Sequence, residues 1–138
     1  MRALGIDLGS KRIGVAVSDR SGTIASPLTV LQRTGSHQDD HRRITELVVE
    51  EEAERVIVGL PLSLDGTIGP AARGAIAEAE ELSSVVGVPV ETFDERLTTV
   101  SADRLLMERR MRAEARRRVV DKVAAAVMLQ SWLDGRRP

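Results

Sequence analysis

Gly5-Ile6-Asp7-Leu8-Gly9-Ser10-Lys11-Arg12-Ile13-Gly14-Val15-Ala16 is the stretch on which the fold of this chain turns. Residues 3–8 are a short apolar run that reads as a buried strand, residues 9–12 make a tight turn, and Ile13, Val15 and Val17 alternate as a second strand. Asp7 lies at the end of the first strand, with glycines two residues to either side. Burying a carboxylate there is costly unless something pairs with it, and a metal ion is a fitting partner. The question is which other acids can reach it.

Working outward, residues 24–31 give a third strand, which Pro27 marks as an edge or irregular one. Residues 38–53 read as a charged helix with Ile44, Leu47 and Val48 inward. Arg55 to Gly59 is a continuous apolar strand of the parallel-sheet kind. After a loop with Pro61, Asp65 and two glycines comes a helix over 70–86, closed by Gly87, then a fifth strand over 88–93. Thr98 or Thr99 can cap a helix to about 110, and a last helix runs from about 116 to 134, ending at Gly135. Three strands in a meander followed by α-β-α-β-α is the element order of the ribonuclease H-like fold. The expectation is therefore an α/β chain with a five-stranded mixed sheet in the order 3-2-1-4-5, flanked by helices. Strands one, four and five then run parallel, and their C-terminal ends form the mouth where such sheets bind ligands. Asp7 ends strand one, Asp94-Glu95-Arg96 follows strand five, and Asp121 opens the segment Asp121-Lys122-Val123-Ala124-Ala125-Ala126. Those alanines allow the last helix to lie close to the sheet.

The 138 residues suit one domain, spanning 1–138. The absence of cysteine excludes disulfides, a thiolate nucleophile and a cysteine zinc site. No signal peptide is read, and the longest uncharged run, Ser21 to Gln32, is too short and polar for a membrane span; a cytoplasmic location is expected. Net charge is −1, yet Arg104, Arg109, Arg110, Arg112, Arg116, Arg117 and Arg118 cluster as a candidate nucleic-acid surface. Phe93 and Trp132 are the only aromatics, too few for stacking single-stranded bases. A nucleic acid bound here would be gripped by its backbone and shape, which favours duplex or branched substrates.

Four motifs carry a resemblance over essentially the whole chain: Gly5-Ile6-Asp7-Leu8-Gly9-Ser10-Lys11-Arg12-Ile13-Gly14-Val15-Ala16, Val58-Gly59-Leu60-Pro61, Asp94-Glu95-Arg96-Leu97-Thr98-Thr99, and Asp121-Lys122 with Ala124-Ala125. In order and spacing they resemble the YqgF/RuvX family of small bacterial ribonuclease H-like nucleases. The resemblance implies a nuclease that matures the 5′ end of pre-16S ribosomal RNA or, second, a Holliday junction resolvase. It also implies that Asp7, Glu95 and Asp121 are the catalytic acids. Carboxylates suit hydrolysis assisted by two Mg²⁺ or Mn²⁺ ions, because hard cations prefer oxygen donors. Lys11, Arg12, Arg96 and Lys122 are candidate phosphate holders, assisted by the Ser10 and Thr98 hydroxyls. Junction resolution would favour a homodimer, whereas RNA trimming suits a monomer equally well.

One geometric difficulty stands out. Strand five lies two strand spacings, about 10 Å, from strand one, and strand four carries no acid. Either Glu95 leans across or Asp94 or Asp65 serves instead. Asp19 and Asp65 read otherwise as turn residues, Gly59-Leu60-Pro61 as a structural turn near the site, and Trp132 as a core anchor. His37 and His41 have helical metal-binding spacing but no evident third ligand, and read as a solvated helix start. Two rival functions remain. An actin-like or sugar-kinase ATPase shares the Gly-Ile-Asp-Leu-Gly-Ser opening but needs a second such domain, and a non-catalytic nucleic-acid-binding module shares the fold.

Overall fold

The computed structural model describes residues 1–63, 65–97 and 113–136, with backbone alone at 97 and 113–120. The hairpin forms as its alternation predicts: β1 (Ala3–Leu8) pairs antiparallel with β2 (Arg12–Ser18), placing Asp7 opposite Gly14. β3 (Ala25–Gln32) pairs with β2 and forms one edge of the sheet. Pro27, which cannot donate to a ladder, sits on that edge opposite Ala16, where the register slips by a bulge. Helix α1 (His37–Glu50) starts on a Ser36 cap whose hydroxyl accepts from the Asp39 N–H at 3.2 Å. It ends earlier than the periodicity predicts. Glu51 caps it and Glu52 takes φ 54°, so the chain turns into β4 (Arg55–Leu60).

β4 joins β1 in parallel, and β5 (Val90–Asp94) joins β4 in parallel, which gives the order β3-β2-β1-β4-β5 expected from the element sequence. Helix α2 (Pro70–Ser83) begins with proline, whose fixed φ suits the first turn. It stops four residues before Gly87, whose φ of +75° turns the chain toward β5. Helix α3 (Ala113–Gly135) closes the described chain, starting somewhat earlier than expected. The helix expected from Thr98 to about 110, with Thr98 and most of the arginine cluster, lies outside the described residues.

Strand alternation splits the core into two layers. Leu4, Ile6, Ile13, Val15, Val56 and Val58 face α1 and α2, where they meet Ile44, Val48, Ala79 and Leu82. Ala3, Ala16 and Ile57 face α3, where Ala125, Met128, Leu129 and Trp132 cover them. The alanines let α3 approach closely. A Cβ on Gly5 would meet the Leu129 Cβ at 2.9 Å and the Ala125 carbonyl at 3.1 Å. Trp132 anchors this layer as expected, 7% exposed, its indole N–H donating to Glu91 at 3.0 Å. Among the described residues, no helix is long and apolar enough to cross a membrane.

Candidate active site

The face of β1 that carries Gly5 also carries Asp7, because side chains alternate along a strand. Both therefore point toward α3. Asp7 is flanked in the sheet by glycines: Gly14 opposite it on β2 and, continuing the β1–β4 register, Gly59 on β4. These two missing side chains build the site.

On the β2 side, a Cβ at Gly14 would collide with the backbone carbonyl of Asp121, so only glycine lets α3 settle there. That packing carries the Asp121 carboxylate to Asp7, close enough for its charge to act on Asp7. Asp121 is held by Arg12, whose Nε donates to Oδ2 at 2.6 Å. On the β4 side, a Cβ at Gly59 would fall on the Glu95 carboxyl group. Glu95 opens a 3₁₀ turn just past β5, and its side chain reaches back over Gly59 to hydrogen-bond Asp7. The strand-five acid does lean across. Asp94 and Asp65 serve elsewhere: Asp94 accepts from Arg96 Nε at 2.7 Å, and Asp65 closes a turn with Thr67 at 2.7 Å.

The electrostatics follow from this crowding. Burial pushes the Glu95 carboxyl up to about 8, reinforced by the charge of Asp7 and by their hydrogen bond. Asp7 is also raised by burial; the Glu95 hydrogen bond pulls it back, and the charge of Asp121 pushes it further up. The two carboxyl groups thus share one proton, carried by Glu95 and donated to Asp7. A divalent cation can take the place of that proton. The donors are all carboxylate oxygens, a set suited to a hard ion.

Of the predicted phosphate holders, Arg12 is bonded to Asp121 at this mouth, Ser10 and Lys11 line a concavity with Arg33, Gly35, His37 and Asp40 on the α1 side, and Thr98 lies outside the described residues. Ser10 and Lys11 are exposed on the β1–β2 turn, Lys122 is half-buried beside Asp121, and Arg96 lies against Gly66, tied to Asp94. Sequence reasoning missed what fixes the turn itself. Arg33 Nε donates to the Gly9 carbonyl at 2.8 Å, and the same guanidinium grips Glu78 through two bonds of 2.7 and 2.9 Å. The structure also overturns one expectation from the sequence. His41 is only 4% exposed and bonds Glu78 at 2.8 Å, so the start of α1 is not a solvated histidine pair. The missing third partner came from α2, 37 residues along the chain, where no local spacing could reveal it.

A model of the RuvX family, described as Holliday junction resolvase, matches residues 1–135. The chain belongs to the RuvX family. It is 50% identical over 137 residues to a protein of Mycobacterium sp. (strain KMS) named "Putative pre-16S rRNA nuclease", covering 99% of this chain and 81% of that one. A protein of the same name from Thermoanaerobacter pseudethanolicus is 44% identical, with 99% of both chains covered. Among solved structures, Thermus thermophilus RuvC in complex with a Holliday junction substrate superposes with a TM-score of 0.61 at 21% identity, covering 99% of this chain and 96% of that one. That likeness supports the ribonuclease H-like architecture. The chain is therefore a member of a nuclease family.

Proposed function

We propose that the chain hydrolyses phosphodiester bonds in structured nucleic acid, and that its substrate is the 5′ precursor of 16S ribosomal RNA in the cytoplasm. The observation that carries the reading is the Glu95 carboxyl lying over Gly59 onto Asp7, with Asp121 brought in from the other side by Gly14. Asp7, Glu95 and Asp121 would hold the metal. Two bound Mg²⁺ or Mn²⁺ ions supply an activated water and neutralise phosphate charge.

The chain's own residues do the rest. Asp7 and Glu95 give up their shared proton when the site is loaded. Arg12 is pre-placed on Asp121 and can transfer its guanidinium to an incoming phosphate, which frees the carboxylate. Lys122 would add positive charge next to Asp121 and Arg96 next to Glu95, Lys11 would do so from the β1–β2 turn, and the Ser10 and Thr98 hydroxyls are close in sequence to these groups. The names of the relatives favour pre-16S RNA as substrate; the family description keeps junction DNA as the second reading.

The test compares cleavage of a precursor RNA duplex, a synthetic four-way junction and single strands, with Mg²⁺ and with chelator. Wild-type protein should cut the RNA duplex with metal only. Asp7→Asn should bind it and not cut. Cleavage by Asp7→Asn at the wild-type rate would sink the assignment, and preferential cutting of the junction would move the substrate to DNA.

A further inference from the structure

The half-buried cluster at the start of α1 is chemically unlike the carboxylate mouth. His37 and His41 are one helical turn apart on α1, and Glu78 faces both from α2. One ligand atom from each of the three lies within 4.8 Å of the others, and among the described residues this is the one group of three histidine or carboxylate donors drawn so close. His41 Nε2 stands 2.8 Å from Glu78 Oε2, and His37 Nε2 stands 3.9 Å from Glu78 Oε1. Ligands of a tetrahedral zinc ion, at about 2.0–2.1 Å from the metal, are about 3.3 Å apart. The two observed separations bracket that spacing. The other ring nitrogen of His37 meets Glu81 at 2.9 Å, the carboxylate–histidine pairing that orients a metal-bound imidazole.

Charge points the same way. Glu78 and Asp40, both buried, face a single guanidinium, Arg33, so one negative charge is left over between them, while Glu81 faces His37 instead. Asp40 is 1% exposed and its Oδ2 has no hydrogen-bond partner. Burial pushes Glu78 up, but Arg33 and His41 outweigh it and keep the group ionised. Arg42 at the rim is matched by Asp39 at 3.0 Å and leaves the imbalance unchanged. The way in is open: His37 and Glu81 are each about half exposed and line a concavity with Arg42, Thr45 and Val85.

We propose that His37, His41 and Glu78 form a second metal site, for a borderline transition ion such as Zn²⁺, oriented by Glu81 and separate from the Asp7 mouth. Imidazole donors select Zn²⁺, Co²⁺ or Ni²⁺ over Mg²⁺. The ion would clamp the start of α1 to α2. Through Glu78 and Arg33 it would also stiffen the β1–β2 turn at Gly9. The site stands independently of the nuclease reading.

The test uses full-length, tag-free protein titrated with Co²⁺, followed by its visible d–d absorption, and with Zn²⁺ by calorimetry and Tm. Wild type should take up one equivalent at this site and rise in Tm. Asp7→Asn should do the same. His37→Ala, a change at an exposed position, should lose at least tenfold in affinity and the Tm rise, while unfolding normally without metal. Glu81→Gln should weaken binding by a smaller factor. The proposal is overturned if wild type binds no Co²⁺ at millimolar concentration, if His37→Ala binds like wild type, or if Asp7→Asn abolishes the binding.

Discussion

Gly59→Ala adds one methyl group in the path by which Glu95 reaches Asp7. A Cβ there would overlap Glu95 Oε1 and lie 2.7 Å from both Cγ and Cδ, against the 3.5–4.0 Å that carbon contacts require. Relief therefore takes a shift of about 1 Å or more. The cheapest movement is the side chain swinging outward, since the methyl group is fixed on a strand in the middle of the sheet. The substitution should not harm folding. Alanine in place of glycine within a strand gains about 0.5–1 kcal/mol, and a buried carboxyl is released to solvent. The effect falls on chemistry. Glu95 parts from Asp7, its pKa falls from about 8 toward 4.5, and the metal loses one carboxylate. Cleavage of the precursor duplex should drop at least about 100-fold, the upper range for losing a group that orients a metal site. Carbon-13 NMR titration of the Glu95 carboxyl reads the displacement directly. In a double-mutant cycle, Gly59→Ala on a Glu95→Gln background should cost little more, because both changes remove the same contact. Wild-type cleavage by Gly59→Ala, with Glu95 still titrating near 8, would refute the reasoning.

Gly14→Ala should instead damage the fold, because its methyl group meets the α3 backbone rather than a movable side chain; a loss of about 3 kcal/mol or more in urea unfolding is expected. In metal-free protein, stability should fall as pH rises from 5 to 9. Folded Glu95 holds its proton up to about 8 whereas the unfolded carboxyl releases it near 4.5, so the stabilisation is full below 4.5 and lost through 8; Glu95→Gln should flatten that slope in chelator. For the same reason Mg²⁺ binding at pH 7 should release protons and tighten toward pH 8, which calorimetry in buffers of different ionisation heat measures. Trp132→Phe should cost about 1 kcal/mol by losing the indole bond to Glu91, with cleavage unchanged.

The sheet order and the positions of Asp7, Glu95 and Asp121 were legible in the sequence because strand alternation, turn glycines and element order are local signals. Pro27 announced its edge strand for the same reason. The limits of α1 and α2 were less legible. Apolar periodicity continues to Ala53 and Val86, and only the positive φ at Glu52 and Gly87 shows where the chain departs. Gly59 was the informative residue misread: expected in a turn with Leu60 and Pro61, it lies inside β4, which runs on to Leu60. A glycine inside an apolar strand marks a close approach, but what approaches is set by β5, more than thirty residues away. The Arg33–Glu78–His41 network was illegible for a related reason: its members come from the loop after β3, from α2 and from α1, and each looks in sequence like an ordinary surface charge.

The pair of glycines beside Asp7 changes how loss of function in this family should be sought. Alanine scanning removes side chains, and here the vulnerable positions already have none. A homologue or clinical variant could keep every acid and every basic residue intact and yet be inert through one extra carbon at position 14 or 59. Surveys that score catalytic competence by the presence of the acids would count such a protein as active.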